Sequence, residues 1–214
     1  MTTSDISVRA ATEADAARLA EIHVAAWRAT YRGVMTDQYL DGLDVGRAAS
    51  AWRRNIREPR KGTMHLVVRC GNEVTGFAIV GPAVGGSAAG AGQLHAINVH
   101  PDWWAQGAGS VLFAAAEQQL IELGYERAVL WVAKSNDRAI SFYNNRRWLH
   151  DGATLEDTRF DPPVSENRHS RTLSRARQPA HSDVAGFGND QGTNPAQPCP
   201  RAVVPPTMTA WHSL

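Results

Sequence analysis

The chain opens with a short alternation, Ile6 to Ala10, in which apolar and polar positions trade places at the period of two that a half-buried strand requires. Thr12 and Asp15 follow at the spacing of a capping box, and behind them Leu19, Ile22, Ala26 and Thr30 share one face of a predicted helix. A second helical stretch is predicted from Asp37 to Ile56, broken near Gly42 and Gly46. Two apolar runs, Met64 to Cys70 and Glu73 to Val80, flank Gly71-Asn72 and predict a hairpin. Gly81 to Gly92 is small and Gly/Ala-rich, which reads as a loop. A strand from Leu94 to Val99 precedes a helix running from near Gly107 to Leu123, with Gly124 placed as its C′ residue. Ala128 to Val132 is continuously apolar, as a buried strand is. Asn136 can cap a further helix, Asp137 to Arg146, and Trp148 to Phe160 plus Asn167 to Leu173 supply closing strands. Strands interleaved with helices in this order predict a mixed α/β sheet.

Beyond Leu173 the periodicity stops. Pro179, Pro195, Pro198, Pro200, Pro205 and Pro206 are six of the eleven prolines, so residues 174–214 are expected to be a disordered tail behind a single domain at 1–173. Composition narrows the function classes. Hydrophobic residues make up 43% of the 214, enough for a sizeable core, and a net charge of +1 gives no global reason to expect a nucleic acid or an acidic membrane as partner. Cys70 and Cys199 are too far apart in the sequence to suggest a disulfide framework or a metal site. The N-terminus lacks an uninterrupted apolar core, and no run approaches the roughly 18 apolar residues of a membrane span. A soluble, cytoplasmic protein without a metal is expected.

The candidate chemistry begins at His100 to Leu112, HPDWWAQGAGSVL. A strand that stops, a glycine-bearing turn and a helix start leave backbone N–H groups without intrahelical partners, at the positive end of a helix dipole. A phosphate suits such a turn. Gly107 and Gly109 would let it approach the main chain, although a bare Gly-x-Gly also serves as a plain strand-to-helix turn. Val99-His100-Pro101 followed by Gly107-Ala108-Gly109 resembles the acyl-CoA-binding signature of the GNAT family of N-acetyltransferases. That resemblance spans residues 6–173. It implies a mostly antiparallel mixed sheet of about six to seven strands, flanked by helices, with splayed central strands. It departs at Trp104, where the family carries Arg or Gln, and so loses one polar contact.

The resemblance implies acetyl-CoA as co-substrate. It places Trp104, Ala105, Gln106, Gly107, Ala108, Gly109 and Ser110 at the pyrophosphate, and Ile97, Asn98 and Val99 along the pantetheine arm. The run from Asn136 to Tyr143 is similar to the family's Asn-x-x-Ala-x-x-x-Tyr helix, and seven residues put both side chains on one face. By that likeness Asn136 lies near the pantetheine and Tyr143 near the sulfur as general acid; a helix cap and a core aromatic are the plainer readings. The family's Gly-Phe after this helix is Arg147-Trp148 here, which predicts a left-handed Arg147. Many relatives place a Glu where Gln93 stands, and Gln93 cannot usefully take a proton. His95, two residues on and on the same face, has an intrinsic pKa suited to that work, or is a half-buried histidine held by a carbonyl.

His23, Trp27 and Tyr31 recur every four residues as one helical stripe, and Trp27-x-x-x-Tyr31-x-Gly33 resembles a subgroup in which this segment leads to the acceptor. Such a slot suits a small-molecule or peptide amine, or is simply core. Arg53, Arg54, Arg57, Arg60 and Lys61 form a basic run that serves as a solvated helix end or meets a phosphate. The leading reading is acetyl transfer to a primary amine by direct attack in a ternary complex. The alternative is a non-catalytic acyl-CoA-binding module, and a third reading has the arginine run docking a nucleic acid or protein. Whether the chain forms a homodimer stays open.

Overall fold

A computed structural model describes residues 6–84, 88–160 and 162–173; the expected tail and Cys199 lie outside the described residues. Seven strands form one sheet in the order β1-β2-β3-β4-β5-β7-β6. They are β1 (Ile6–Ala10), β2 (Met64–Cys70), β3 (Glu73–Pro82), β4 (Gly92–Val99), β5 (Arg127–Ala133), β6 (Leu149–Asp157) and β7 (Val164–Thr172). Five α-helices accompany them: α1 (Ala16–Tyr31), α2 (Asp37–Asp41), α3 (Val45–Arg57), α4 (Ala108–Glu122) and α5 (Asp137–Asn144). All neighbouring pairs are antiparallel except β4 and β5.

The elements start and stop for local reasons. A 3₁₀ turn, Glu13–Asp15, precedes α1, and Asp15 Oδ2 accepts from both the amide (2.7 Å) and the hydroxyl (3.0 Å) of Thr12. Arg9 of β1 closes on the same carboxylate with two bonds of 2.8 Å, which ties the first strand to the first helix. The predicted long second helix is two helices, interrupted at Gly42, while Gly46 lies inside α3. The β2–β3 hairpin turns at Gly71-Asn72 as expected, and β3 runs on to Pro82. Gly124, at φ 91°, ends α4, and the Tyr125 amide donates back to the Leu120 carbonyl at 3.1 Å.

One apolar layer packs the sheet against α4 and α5 through Leu94, Ile97, Leu112, Phe113, Leu130, Tyr143 and Trp148. The opposite layer sets Leu19 and Ile22 of α1 and Trp52 of α3 on Val67, Phe77, Ile79 and Ala96. A third cluster, Trp27, Tyr31, Met35, Leu40, Ala133, Phe160 and Val164, covers the sheet beside β5 and β7. Arg171 and Trp148 both reach Glu117 of α4, which closes the far side.

Candidate active site

The site begins where the sheet fails to zip. β4 and β5 pair in parallel only at Gly92↔Ala128 and Gln93↔Val129, and no further pair joins them among the described residues. Ile97, Asn98 and Val99 remain bonded to β3 on one edge and face a gap on the other. Backbone groups left open inside a protein call for a partner, so the gap suits an extended, amide-bearing ligand. Asn98 is fully buried, and neither atom of its side-chain amide has a hydrogen-bond partner.

Directly beyond β4 lies the turn. After a short 3₁₀ segment, Pro101–Trp103, Ala105 and Gly107 both adopt left-handed backbone, at φ 60° and 92°. Alternating hand aims successive N–H groups into one concavity, and the first amides of α4 have no preceding turn to bond. The Trp104 indole N–H donates to the Val99 carbonyl at 2.7 Å, so this residue braces the turn against β4. The Arg138 guanidinium of α5 lies 3.8 Å over the Trp104 ring, and Arg146 donates to Ser110 Oγ at 2.9 Å. Two cations, one from α5 and one from the turn just after it, thus stand beside the turn at Gly107. Sequence reading missed both, because they arrive from a different element. Gln106 donates to the Asp102 carbonyl at 2.7 Å and closes the loop on itself.

On the other wall of the gap, Asn136 caps α5, its Oδ1 accepting from the Ala139 amide at 3.2 Å. Tyr143, two turns on, is fully buried against Phe113 and Phe142, and its hydroxyl has no hydrogen-bond partner. Burial pushes its pKa well up, so the phenol keeps its proton. Arg147 is left-handed at φ 61°, as its replacement of glycine predicted.

His23, Trp27 and Tyr31 form one buried ladder along α1, with ring centroids 5.0 and 5.4 Å apart. Phe160 extends it, 5.9 Å from Trp27. The Tyr31 hydroxyl lies beside the Asn136 side chain and within electrostatic reach of Glu166, Tyr143 and Arg138. Glu166 was not anticipated. It sits on β7 between Ala133 of β5 and Leu155 of β6, fully buried, with no hydrogen bond to either carboxylate oxygen. Burial, and then the nearby Asp157 carboxylate, pushes it up to about 8 against the pull of Arg159.

Gln93 and His95 stand elsewhere on β4. Gln93 is fully buried, and its Oε1 accepts from the Val84 amide at 3.1 Å, which pins the loop between β3 and β4. His95 occupies a bulge: Ile79 pairs with Ala96 and Val80 with Leu94, so His95 has no opposite residue. Burial, assisted by Arg60 and by the neighbouring His65, lowers its pKa to about 4, and burial alone does the same to His65. Among the described residues no group of His, Cys, Asp or Glu could hold a metal ion, and no helix is long and apolar enough to cross a membrane.

Comparison with known proteins agrees with this geometry. The family described as Acetyltransferase (GNAT) matches residues 16–147. An uncharacterized N-acetyltransferase, YuaI of Bacillus subtilis, is 28% identical over 163 residues, covering 72% of this chain and 88% of that protein. The crystal structure of PaiA N-acetyltransferase from Thermoplasma acidophilum in complex with coenzyme A superposes with a TM-score of 0.57 at 16% identity, over 78% of this chain and 99% of that one. The structure of YncA, a putative acetyltransferase from Salmonella typhimurium with its cofactor acetyl-CoA, gives 0.59 at 16% identity over 83% and 99%.

Proposed function

The chain belongs to the GNAT family of acetyltransferases, and from that premise we propose that it transfers the acetyl group of acetyl-CoA to a primary amine of a small molecule or peptide by direct attack. The observation that carries this reading is the seam. A parallel pair that parts after two residues leads into a left-handed turn at a helix start, with an unpartnered tyrosine hydroxyl on the facing helix. The turn from Trp104 to Ser110 holds the pyrophosphate through its main chain, with Arg138 and Arg146 supplying positive charge. Ile97 to Val99 offer backbone to the pantetheine amides, and Asn136 reaches the same arm from the other side.

Tyr143 gives its proton to the departing thiolate; a phenol kept protonated by burial is suited to donate. His23, Trp27 and Tyr31 line the acceptor side. Gln93 serves the loop, and His95, neutral near pH 7 and weakly basic, stands in the bulge, so the proton leaving the amine needs a separate account.

Calorimetric titration of the full chain and of Tyr143→Phe with acetyl-CoA, followed by thiol release against a panel of primary amines, tests the reading. Both proteins should bind saturably, and turnover should fall by about 10²-fold or more in the variant. A folded wild type that does not bind acetyl-CoA overturns it. Binding without thiol release from any amine supports a non-catalytic acyl-CoA-binding module instead.

A further inference from the structure

We propose that Glu166 of β7 is the proton acceptor for the incoming amine. The inference rests on the acetyl-transfer reading and deepens it. Three observations support it. First, Glu166 is fully buried with neither oxygen hydrogen-bonded, an arrangement that costs free energy unless a ligand completes it. Second, it lies on the acceptor side. Its neighbour across the sheet, Ala133, packs in one cluster with Trp27, Tyr31 and Phe160, and the Tyr31 hydroxyl lies within electrostatic reach of both Glu166 and Tyr143. Third, β4 offers no carboxylate, since Gln93 is committed to the Val84 amide and His95 stands in the bulge near His65.

The groups that bear on Glu166 come from each element around it. They are Tyr31 from α1, Asp157 from β6 and Arg159 from the segment after β6; Tyr143 and Arg138 of α5 meet it through Tyr31. Arg159 is held by Asp157 in a bidentate ion pair, with bonds of 2.7 and 2.6 Å, and does not hydrogen-bond Glu166. An ammonium ion entering between the aromatic ladder and β7 would therefore meet one uncommitted carboxylate.

The Glu166 carboxylate takes one proton from the ammonium and leaves a neutral amine. The amine nitrogen forms a bond to the thioester carbonyl carbon, and the carbon–sulfur bond breaks with its electron pair going to sulfur. Tyr143 gives its proton to the thiolate and is reprotonated by the second proton that nitrogen loses as the amide forms. Glu166 gives up its own proton to solvent when the next ammonium ion binds beside it, which closes the cycle. A carboxyl whose affinity for protons is raised toward that of an amine is the better acceptor.

Two amines discriminate this role from a structural one: benzylamine, a cation at neutral pH, and hydroxylamine, which is uncharged there. With the full chain saturated in acetyl-CoA, Glu166→Gln should lose about 10²-fold in kcat/KM for benzylamine and only a few-fold for hydroxylamine. The wild-type profile for benzylamine should rise with pH through about 8, and the variant should lose that rise. Equal losses for both amines, or an unchanged profile, overturn the assignment.

A second readout is independent of turnover. Infrared difference spectra of the acetyl-CoA complex at pH 7 should show a protonated carboxyl band, absent from Glu166→Gln, that disappears when benzylamine is added. A band that does not respond to benzylamine overturns the proposal even if catalysis is slow. Acetyl-CoA titration of the same two proteins separates the failures: no binding by the wild type sinks the acetyl-transfer reading, whereas normal binding with a silent band sinks only Glu166.

Discussion

Two buried carboxylates in this molecule have opposite fates. Asp15, at the corner between β1 and α1, accepts from Arg9 twice and from Thr12 twice, and its pKa falls to about 2, chiefly through the Arg9 bonds. Glu166, on β7 between β5 and β6, accepts from nothing and rises to about 8 through burial. Both are nearly inaccessible, so burial alone does not decide the charge; the donors built around the group do. A corner that only has to hold has completed its bonds within the chain. Glu166 on β7 and Tyr143 on α5 are both left incomplete and both lie within electrostatic reach of the Tyr31 hydroxyl, and buried groups left without donors in this way are candidates for completion by a ligand.

The contrast has opposite signs in stability. Raised from 4.5 to about 8, Glu166 contributes stability that is present at low pH and lost as pH climbs through that window. Glu166→Gln removes the loss. Its unfolding free energy relative to wild type should therefore improve by about 4 kcal/mol between pH 4 and pH 8, read from urea denaturation. His65 and His95 titrate in the opposite direction over their own range, but they are common to both proteins and cancel in the difference. A pH-independent difference would mean that Glu166 is solvated.

Asp15 behaves in mirror image: lowered from 3.8 to about 2, it contributes stability above the upper value that is lost as pH falls through the lower. Asp15→Asn should cost about 2 kcal/mol at pH 7 and almost nothing near pH 2, with acetyl-CoA affinity unchanged. A change in acetyl-CoA affinity would dissolve the division between a holding corner and a working seam. The smallest effect belongs to Arg147, exposed and left-handed at φ 61° just after α5. Arg147→Gly should raise stability by about 1 kcal/mol, measured as a shift of the urea midpoint at constant slope. A loss instead would mean that the arginine side chain makes up for its backbone.

Much of the frame was legible because its signals are local. The hairpin around Gly71-Asn72, the Thr12/Asp15 box, the Asn136 cap and the strained Arg147 each follow from a few consecutive residues. The turn at Gly107 was legible for the same reason, whereas Arg138 and Arg146 beside it were not, since α5 and the turn that follows it bring them from about thirty or more positions away. Glu166 was hidden more thoroughly. The stretch Val164 to Thr172 alternates polar and charged residues and reads as an exposed strand. What buries it is its insertion between β5 and β6, a pairing order that the sequence does not announce. The bulge at His95 is equally non-local, being a property of the register with β3.

That insertion also sets an order of assembly. β1 to β4 pair with neighbours that are, apart from β1, adjacent in the chain, so this half of the sheet can close as soon as residue 99 is available. β6 cannot join β5 until β7 has been made and has slipped between them. Non-local pairings of this kind are the slow ones, and a chain emerging from a ribosome meets them last. Glu166 is therefore carried by the last strand to dock, and on the role proposed for it a partly made chain holds the frame of the molecule without its proton acceptor.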